Sequence, residues 1–294
     1  MINYSFIIPH HNCPALLNRL VDSIPVREDI EIIIVDDNSD DDKKPLINRS
    51  DAVIVLLTKQ DSKGAGHARN VGLNIAKGKW LFFADSDDYY DDTLLSCVDV
   101  YVDSNIDILY FGAYMGFDVM NPSYDDYNVI DDAIQKFLLS EKNLVDIQRI
   151  GLSTNMPWNK MYRKSFISRI GVQFEEIPIS NDAWFVNYAG SQASKISAIK
   201  NKLYYYTINP SGITIKKRPL EDHYISLRSL IRRNKLKAQY HMWDTMSIKM
   251  TRKPIIVRDY GIIEYYKYFM YRLFHDKSLY RLLFNKICSV LKNK

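Results

Sequence analysis

Residues 80–88 read Trp-Leu-Phe-Phe-Ala-Asp-Ser-Asp-Asp, a short aromatic run that ends abruptly in acids. Five apolar residues between a Gly78-Lys79 turn and a carboxylate cluster have the pattern of a buried strand. Carboxylates at i and i+2 beyond a strand's carboxyl end fall where an open α/β sheet places its ligand crevice. Oxygen ligands at that spacing suit a hard divalent cation that also holds phosphates. A solvated acidic turn is the plain alternative.

The same pattern repeats on both sides of this stretch. Residues 4–8 and 52–57 read as strands, and 30–35 as a wholly apolar strand running into Asp36-Asp37-Asn38-Ser39. Helical spacing separates them at 15–24, after Pro14, and at 66–77. Residues 91–102 read as a further helix and 107–111 as a further strand. Alternation at these lengths implies βαβ units and an α/β domain with a mostly parallel sheet, its polar clusters gathered on one edge. Residues 114–128 loosen into an acidic, aromatic connection, and helical spacing returns at 131–140. Residues 158–162 resemble a short strand, and 181–193 a helix with Ser180 as N-cap. Residues 203–208, with three successive tyrosines, read as a strand before the turn Asn209-Pro210-Ser211-Gly212.

Composition bounds the class. With 294 residues, 47% apolar and 25% charged, the chain is an ordinary globular protein of one large domain or two small ones. No apolar run approaches the ~20 residues of a spanning helix. The first residues lack a signal-peptide layout, and three scattered cysteines, Cys13, Cys97 and Cys288, fit a reducing cytoplasm and no zinc site. The net charge of +4 hides a polarity: residues 1–215 carry 20 basic and 29 acidic side chains, whereas 216–294 carry 19 and 6. A basic region of that kind faces something anionic, a membrane surface or a nucleic acid.

Two glycine patterns are excluded. Gly64-Ala65-Gly66-His67-Ala68-Arg69 has Arg in place of the third glycine of a dinucleotide fingerprint and follows the third strand, not the first. Gly72 and Gly78-Lys79 are one residue too far apart for a phosphate loop, and Trp80 stands where Ser or Thr belongs.

Taken together, SFIIPHHN at 5–12, IIIVDDNS at 32–39, GAGHARNVG at 64–72 and FFADSDD at 82–88 resemble the family 2 glycosyltransferases, GT-A-fold enzymes that use nucleotide-sugar donors. PWNKMYRKSFI at 157–167, SND at 180–182 and YYYTINPSGIT at 204–214 resemble the acceptor half of bacterial surface-polysaccharide (capsule or O-antigen) members. The resemblance covers roughly residues 3–215. It implies a nucleotide-sugar-binding half at 1–112, an acceptor-binding half at 113–215 and a basic helical region at 216–294. It further implies an inverting, metal-dependent transfer of a hexose, from a donor that is preferably UDP-linked, to a saccharide or lipid-linked saccharide.

The family pattern assigns roles by position. Pro9, His11, Asn12, Asp37, Arg69, Asp85 and Ser86 would line the donor site, with Asp37 accepting a hydrogen bond from the uracil imide. Asp37 can equally be a turn residue, a role Asp36 can fill instead. Arg69 would reach the base or diphosphate, or else make a structural salt bridge. Asp87 would ligate Mn²⁺ or Mg²⁺, with Asp85 near the ribose or a metal-bound water, so that the cation neutralises charge on the departing diphosphate. Asp182 would be the base that takes the acceptor proton. An Asp in a first helical turn is also a good dipole partner, and Asn181 replaces the Glu that usually precedes this Asp. His11 can stack near the base or lie in solvent. Trp158 and Lys160 are candidates for the sugar pocket, with core and surface as their plain alternatives.

In the tail, Ile262, Tyr266, Phe269, Leu273, Tyr280, Phe284, Ile287 and Leu291 recur at helical spacing, with Lys267, Arg272, Arg281, Lys286 and Lys292 between them. His275-Asp276-Lys277-Ser278 interrupts the run. Such a stripe suits anionic headgroups or packing against the catalytic domain. The expectation is a cytoplasmic protein, peripheral on the inner face of the membrane, with no nucleic-acid partner. A non-catalytic GT-A relative and an RNA-binding protein using the basic tail are the alternatives. A sugar-nucleotide pyrophosphorylase is disfavoured, since His10-His11-Asn12-Cys13 offers no glycine-rich basic loop after the first strand.

Overall fold

The apolar runs at the amino end become neighbouring parallel strands, and those at 4–8 and 30–35, apolar on both sides, are covered on both. A computed structural model describes residues 1–116, 124–126, 128–208, 217–246 and 253–281. Strand β1 spans Tyr4–His10, helix α1 Pro14–Asp22 and β2 Ile30–Asp36, with every residue of both strands buried. Next come β3 (Ala52–Leu56), α2 (Ala65–Ile75) and β4 (Trp80–Phe83). All pairings in the order β3-β2-β1-β4 are parallel. Pro9 sits in this central strand without penalty. Odd-numbered residues of β1 face β4, and that pairing ends with Ala84 N donating to Ile7 O, so no partner awaits an N–H at Pro9.

Beyond β4 the sheet becomes mixed. The elements are β5 (Tyr89–Tyr90), α3 (Leu94–Val98), β6 (Ile108–Gly116), β7 (Tyr124–Asp126), α4 (Asn128–Leu138), α5 (Leu144–Ser153), β8 (Lys160–Arg163), α6 (Lys164–Ile170), α7 (Ala183–Gln192) and β9 (Ile196–Thr207). The order continues β4-β8-β6-β9-β5, with β7 on β6. Only β6–β9 is parallel here, while β4–β8, β6–β8, β6–β7 and β5–β9 are antiparallel. The parallel expectation therefore holds for the amino-terminal strands and gives way beyond β4.

Aromatics fill the interior. Phe6 stacks on Phe82 at 4.7 Å, and Phe83 meets Phe174 at 4.9 Å and Phe185 at 5.3 Å. Each such pair contributes about 0.5–1.5 kcal/mol beyond its buried area.

Several expectations are corrected. The helix expected over 91–102 shrinks to α3 and a 3₁₀ turn at Asp99–Tyr101. The strand expected to end at 111 continues to Gly116, so the boundary expected between residues 112 and 113 falls inside β6. Asp182, not Ser180, occupies the N-cap position of α7. Ser180 has a left-handed φ of 61°, and its Oγ lies 3.2 Å from Ser226 Oγ. The expected turn at 209–212 lies outside the described residues.

The chain divides into two compact units, one of Met1–Glu176 with Asn181–Pro210 and the other of Ile177–Ser180 with Ser211–Lys294. In the second, α8 (Leu220–Gln239), α9 (Lys253–Tyr260) and α10 (Ile262–His275) gather around Leu227, Ile231, Ile256 and Tyr268. The expected break is present: α10 ends at His275, and the buried Asp276 accepts from Asn234 Nδ2 at 2.7 Å and Ser278 Oγ at 2.8 Å. The tail stripe is not the packed face. Ile262, Tyr266 and Tyr280 are exposed, Phe269 and Leu273 half-buried, while Tyr268 and Arg272 are buried. Phe284, Lys286, Ile287, Leu291 and Lys292 lie outside the described residues.

Candidate active site

The turns after β1 and β2 are joined through buried polar groups. His10, fully covered, places Nδ1 2.7 Å from Asp36 Oδ1, and its Nε2 accepts from Cys13 N at 3.2 Å. Since Nε2 accepts, the ring is assigned as the neutral Nδ1–H tautomer, donating to Asp36. Burial holds His10 below its ordinary pKa, against the pull of Asp36. Asp36 also accepts from Ser39 Oγ at 2.5 Å and Ser39 N at 3.1 Å. Burial opposes its ionised form, but these hydrogen bonds prevail and its carboxyl lies below the usual range.

Asn12, at φ 57°, completes the join: its N donates to Ser39 Oγ at 2.9 Å and its Oδ1 accepts from Asp40 N at 2.8 Å. Asn12 thus shapes the turn. His11 is exposed, with Nδ1 3.1 Å from Asp37 O.

Asp37, one residue on, is only half-buried. Its Oδ1 accepts from Lys63 N at 3.2 Å and its Oδ2 from Gly64 N at 2.9 Å. Gly64 makes this possible with a φ of 89°, aiming successive N–H groups at one carboxylate ahead of α2. Each oxygen keeps a second lone pair for a ligand donor.

The turn after β4 carries the second acidic group. Asp85 and Asp87 are half-buried, Ser86 and Asp88 buried. Tyr204 Oη accepts from Asp85 N at 3.0 Å and donates to Asp88 Oδ2 at 2.8 Å, while Thr207 N donates to Asp88 Oδ1 at 2.7 Å. Strand β9 therefore holds the turn from beneath. Arg19 of α1 donates to Asp87 O at 2.6 Å, and Cys13 Sγ lies 3.0 Å from Ser86 Oγ. Burial, then the charges of Asp87 and Asp85, push Asp88 well above the carboxylate range.

Arg69 connects this turn to the start of α7. Its guanidinium, almost wholly buried, pairs with Asp85 and donates to Asn181 Oδ1 at 2.8 Å, lying over the Phe174 ring at 5.4 Å. The approach depends on Gly66, where a Cβ would lie 2.1 Å from Glu175 O. Asn70 reinforces it, accepting from Phe174 N at 2.8 Å and donating to Phe174 O at 3.0 Å. Asp182 follows Asn181. Its backbone carbonyl accepts from Val186 N, but its carboxylate makes no capping bond to α7, so helix capping is not what this side chain does.

The two pocket candidates lie deeper. Trp158 is buried and stacks on Tyr204 at 4.7 Å and Tyr206 at 5.4 Å, supporting the tyrosine that holds the acidic turn. Lys160 is fully buried, donating to Met156 O at 2.5 Å and Asn159 Oδ1 at 2.6 Å beneath the Tyr110 ring. Burial pushes its ammonium well down, with the charge of Asp182 opposing. Neither side chain presents itself to a ligand here.

The structure brings Asp37, Asp85, Asp87, Arg69 and Asp182 to strand ends and helix starts within one unit. Sequence reasoning missed Asp88, Tyr204, Arg19 and the His10–Asp36 pair. Only His10, a histidine ending an apolar strand beside a second strand that ends in Asp, left a usable signal. Among the described residues no group of three or more His, Cys, Asp or Glu is placed to hold a metal. The half-buried Asp85 and Asp87 still fit a cation of the kind held by one or two carboxylates together with substrate phosphates. The crowding of Asp85, Asp87 and Asp88 is what a cation would relieve.

The glycosyl transferase family 2 profile matches residues 5–171, more than half of the chain and all of the first four strands but Tyr4. The chain belongs to glycosyl transferase family 2. Among its curated relatives is the glycosyltransferase EpsJ of Bacillus subtilis, 25% identical over 233 residues that cover 75% of this chain and 66% of EpsJ. TarS of Staphylococcus aureus, a poly(ribitol-phosphate) β-N-acetylglucosaminyltransferase, is 25% identical over 72% of this chain and 36% of its own length. WfaP of Escherichia coli, a UDP-Glc:α-D-GlcNAc-diphosphoundecaprenol β-1,3-glucosyltransferase, is 42% identical over 95 residues, 31% of this chain and 38% of WfaP. The chain therefore spans about a third of TarS and just under two thirds of EpsJ.

The crystal structure of S. aureus TarS 1-349 in complex with UDP-GlcNAc superposes with a TM-score of 0.62 at 20% identity, covering 88% of this chain and 79% of that one. At that identity the likeness concerns the fold: this family 2 member has the GT-A architecture.

Proposed function

We propose that this family 2 member transfers a hexose from a UDP-sugar to a saccharide or lipid-linked saccharide in bacterial polysaccharide synthesis. The observation that carries this reading is Arg69, which spans from Asp85 to Asn181 and so ties the acidic turn to the loop bearing Asp182. Donor and base are thereby held to one rigid frame. In support, TarS has been crystallised with UDP and with UDP-GlcNAc, and the name of WfaP specifies a UDP-glucose donor and an undecaprenol-linked acceptor.

Asp37 accepts from the uracil imide with the lone pairs left by Lys63 and Gly64. Asp87, with Asp85, would hold Mn²⁺ or Mg²⁺, which supplies charge neutralisation for the departing diphosphate. Asp182 takes the proton of the acceptor hydroxyl as that oxygen attacks the anomeric carbon from the face opposite the diphosphate. The bond from anomeric carbon to phosphate oxygen breaks, its electron pair leaves with UDP, and the configuration inverts. Access to an undecaprenol-type acceptor fits a protein peripheral on the inner membrane face. No helix among the described residues is long and apolar enough to cross a membrane.

The test is UDP release from a panel of UDP-hexoses, with and without saccharide acceptors. Turnover of one donor and the opposite anomeric configuration in the product are expected. Donor that binds without any turnover, hydrolysis included, would leave only a non-catalytic GT-A protein.

A further inference from the structure

Helix α10 has one packed side, and the side opposite it is apolar and exposed. At 100° per residue, Tyr268 and Arg272 define its buried side, and Tyr265 and Tyr271 flank it against α8. About 180° away lie Ile263, Tyr266, Met270 and Phe274, within an arc of about 80°. They are 69%, 59%, 41% and 66% exposed. A solvent-facing helical surface is normally polar, but no charged residue falls within this arc, and the nearest beyond its edge, Lys267, is paired with Glu264 at 2.6 Å. Contiguous exposed large apolar side chains over three turns mark an interaction surface.

The charge around this face says what it meets. Past the helix end Lys277 and Arg281 are exposed, and the region from 216 onward holds 19 basic against 6 acidic side chains. A second copy of the chain would bring the same positive field against itself. A nucleic acid would engage the cations and leave the apolar arc in water. An anionic phospholipid surface satisfies both, since it offers acyl chains to the arc and headgroup phosphates to the cations.

We propose that the Ile263–Tyr266–Met270–Phe274 face of α10 is the surface by which the protein lies on an anionic bilayer, its axis in the plane of the interface. This rests on the reading of the protein as peripheral on a membrane, and it names a face turned about 70° from the stripe that the sequence periodicity marks, with Tyr266 common to both. The stripe through Phe269 and Leu273 forms a half-buried flank, and the inserted side chains are those opposite the tyrosines.

Flotation of the full chain with vesicles of phosphatidylcholine, with and without 30% phosphatidylglycerol, tests this; the composition is a choice of about one anionic lipid in three. The wild type floats with the anionic vesicles, and Met270→Glu/Phe274→Glu reduces the floated fraction at least about tenfold. Leu139→Glu, at an exposed apolar position of the other unit, leaves it unchanged. Retained UDP binding and an unchanged melting temperature show that the double variant is folded, and Ile263→Ser, a milder change on the same arc, is read if it is not. Equal flotation of wild type and folded double variant overturns the assignment of this face while membrane binding stands. Absence of flotation by the wild type overturns both. A lipid-free dimer that the double variant abolishes shows a second copy on the face, which also overturns it.

Discussion

Two strand-end turns carry paired acids in this molecule, and they treat their buried member in opposite ways. After β2, Asp36 is buried with His10 and Ser39 as donors, and its carboxyl is held below the usual range. After β4, Asp88 is buried beside Asp85 and Asp87 and is pushed well above it, although Tyr204 and Thr207 donate to it. The first turn is electrostatically complete without a ligand. The second gathers three carboxylates, and burial first, then the charges of Asp87 and Asp85, hold Asp88 back from ionising. A site that presents a hydrogen-bond acceptor to a base needs the first kind of turn. One that takes up a cation and a diphosphate needs the second.

The strongest way to break this contrast is at the second turn. Asp87→Ala removes a half-buried carboxylate of that turn, and transfer is expected to fall below detection in a UDP-release assay while the circular dichroism spectrum is kept. Asp182→Asn is expected to lower kcat by ~10²–10⁴-fold with donor binding nearly unchanged, as loss of a positioned base does. A near-normal rate would reduce Asp182 to a helix-start residue.

Changes at the first turn affect binding and stability. Asp37→Ala is expected to weaken UDP binding about 10–100-fold by calorimetry, the scale of one hydrogen bond to a charged group. An unchanged Kd would place the base elsewhere. The smallest effect is pH-dependent. His10 is buried neutral with its pKa below the ordinary 6.5, so the unfolded chain binds a proton that the folded chain refuses. Its contribution to stability is complete above pH 6.5 and declines as pH falls through that value. Asp36, whose folded pKa is lowered, contributes above its unfolded value of 3.8 and loses this only as pH falls further. Melting curves from pH 7.5 to 5.5 should therefore slope downward in the wild type and flatten in His10→Asn; parallel curves would contradict a His10 held neutral by burial.

What the sequence made legible follows from locality. Strands β1, β2 and β4 are apolar on both faces, and their acidic ends sit beside them in the chain, so fold class and acidic turns could be read directly. Strand β6 could not be read to its end, because Tyr114 and Met115 are only half-buried and break the apolar run. Helix α5 left a signal that went unused: Asn143 and Asp146 form a reciprocal capping box, with Val145 N and Asp146 N donating to Asn143 Oδ1 at 2.9 and 3.1 Å.

The bracing of the acidic turn was illegible for a different reason. Tyr204 and Asp88 are 116 residues apart in the chain, and no periodicity links them. On α10, periodicity finds apolar faces but cannot say which one is packed, since that depends on tyrosines supplied to α8.

The account rests most heavily on the acidic turn after β4. Calorimetric titration of UDP into the wild-type protein, in Mn²⁺ and again in excess EDTA, tests it most directly. Tight binding with the cation and a marked weakening on chelation are expected, with Asp87→Ala behaving in Mn²⁺ as the wild type does in EDTA. Equal UDP affinity under both conditions would contradict the claim that Asp85 and Asp87 receive the diphosphate through a cation.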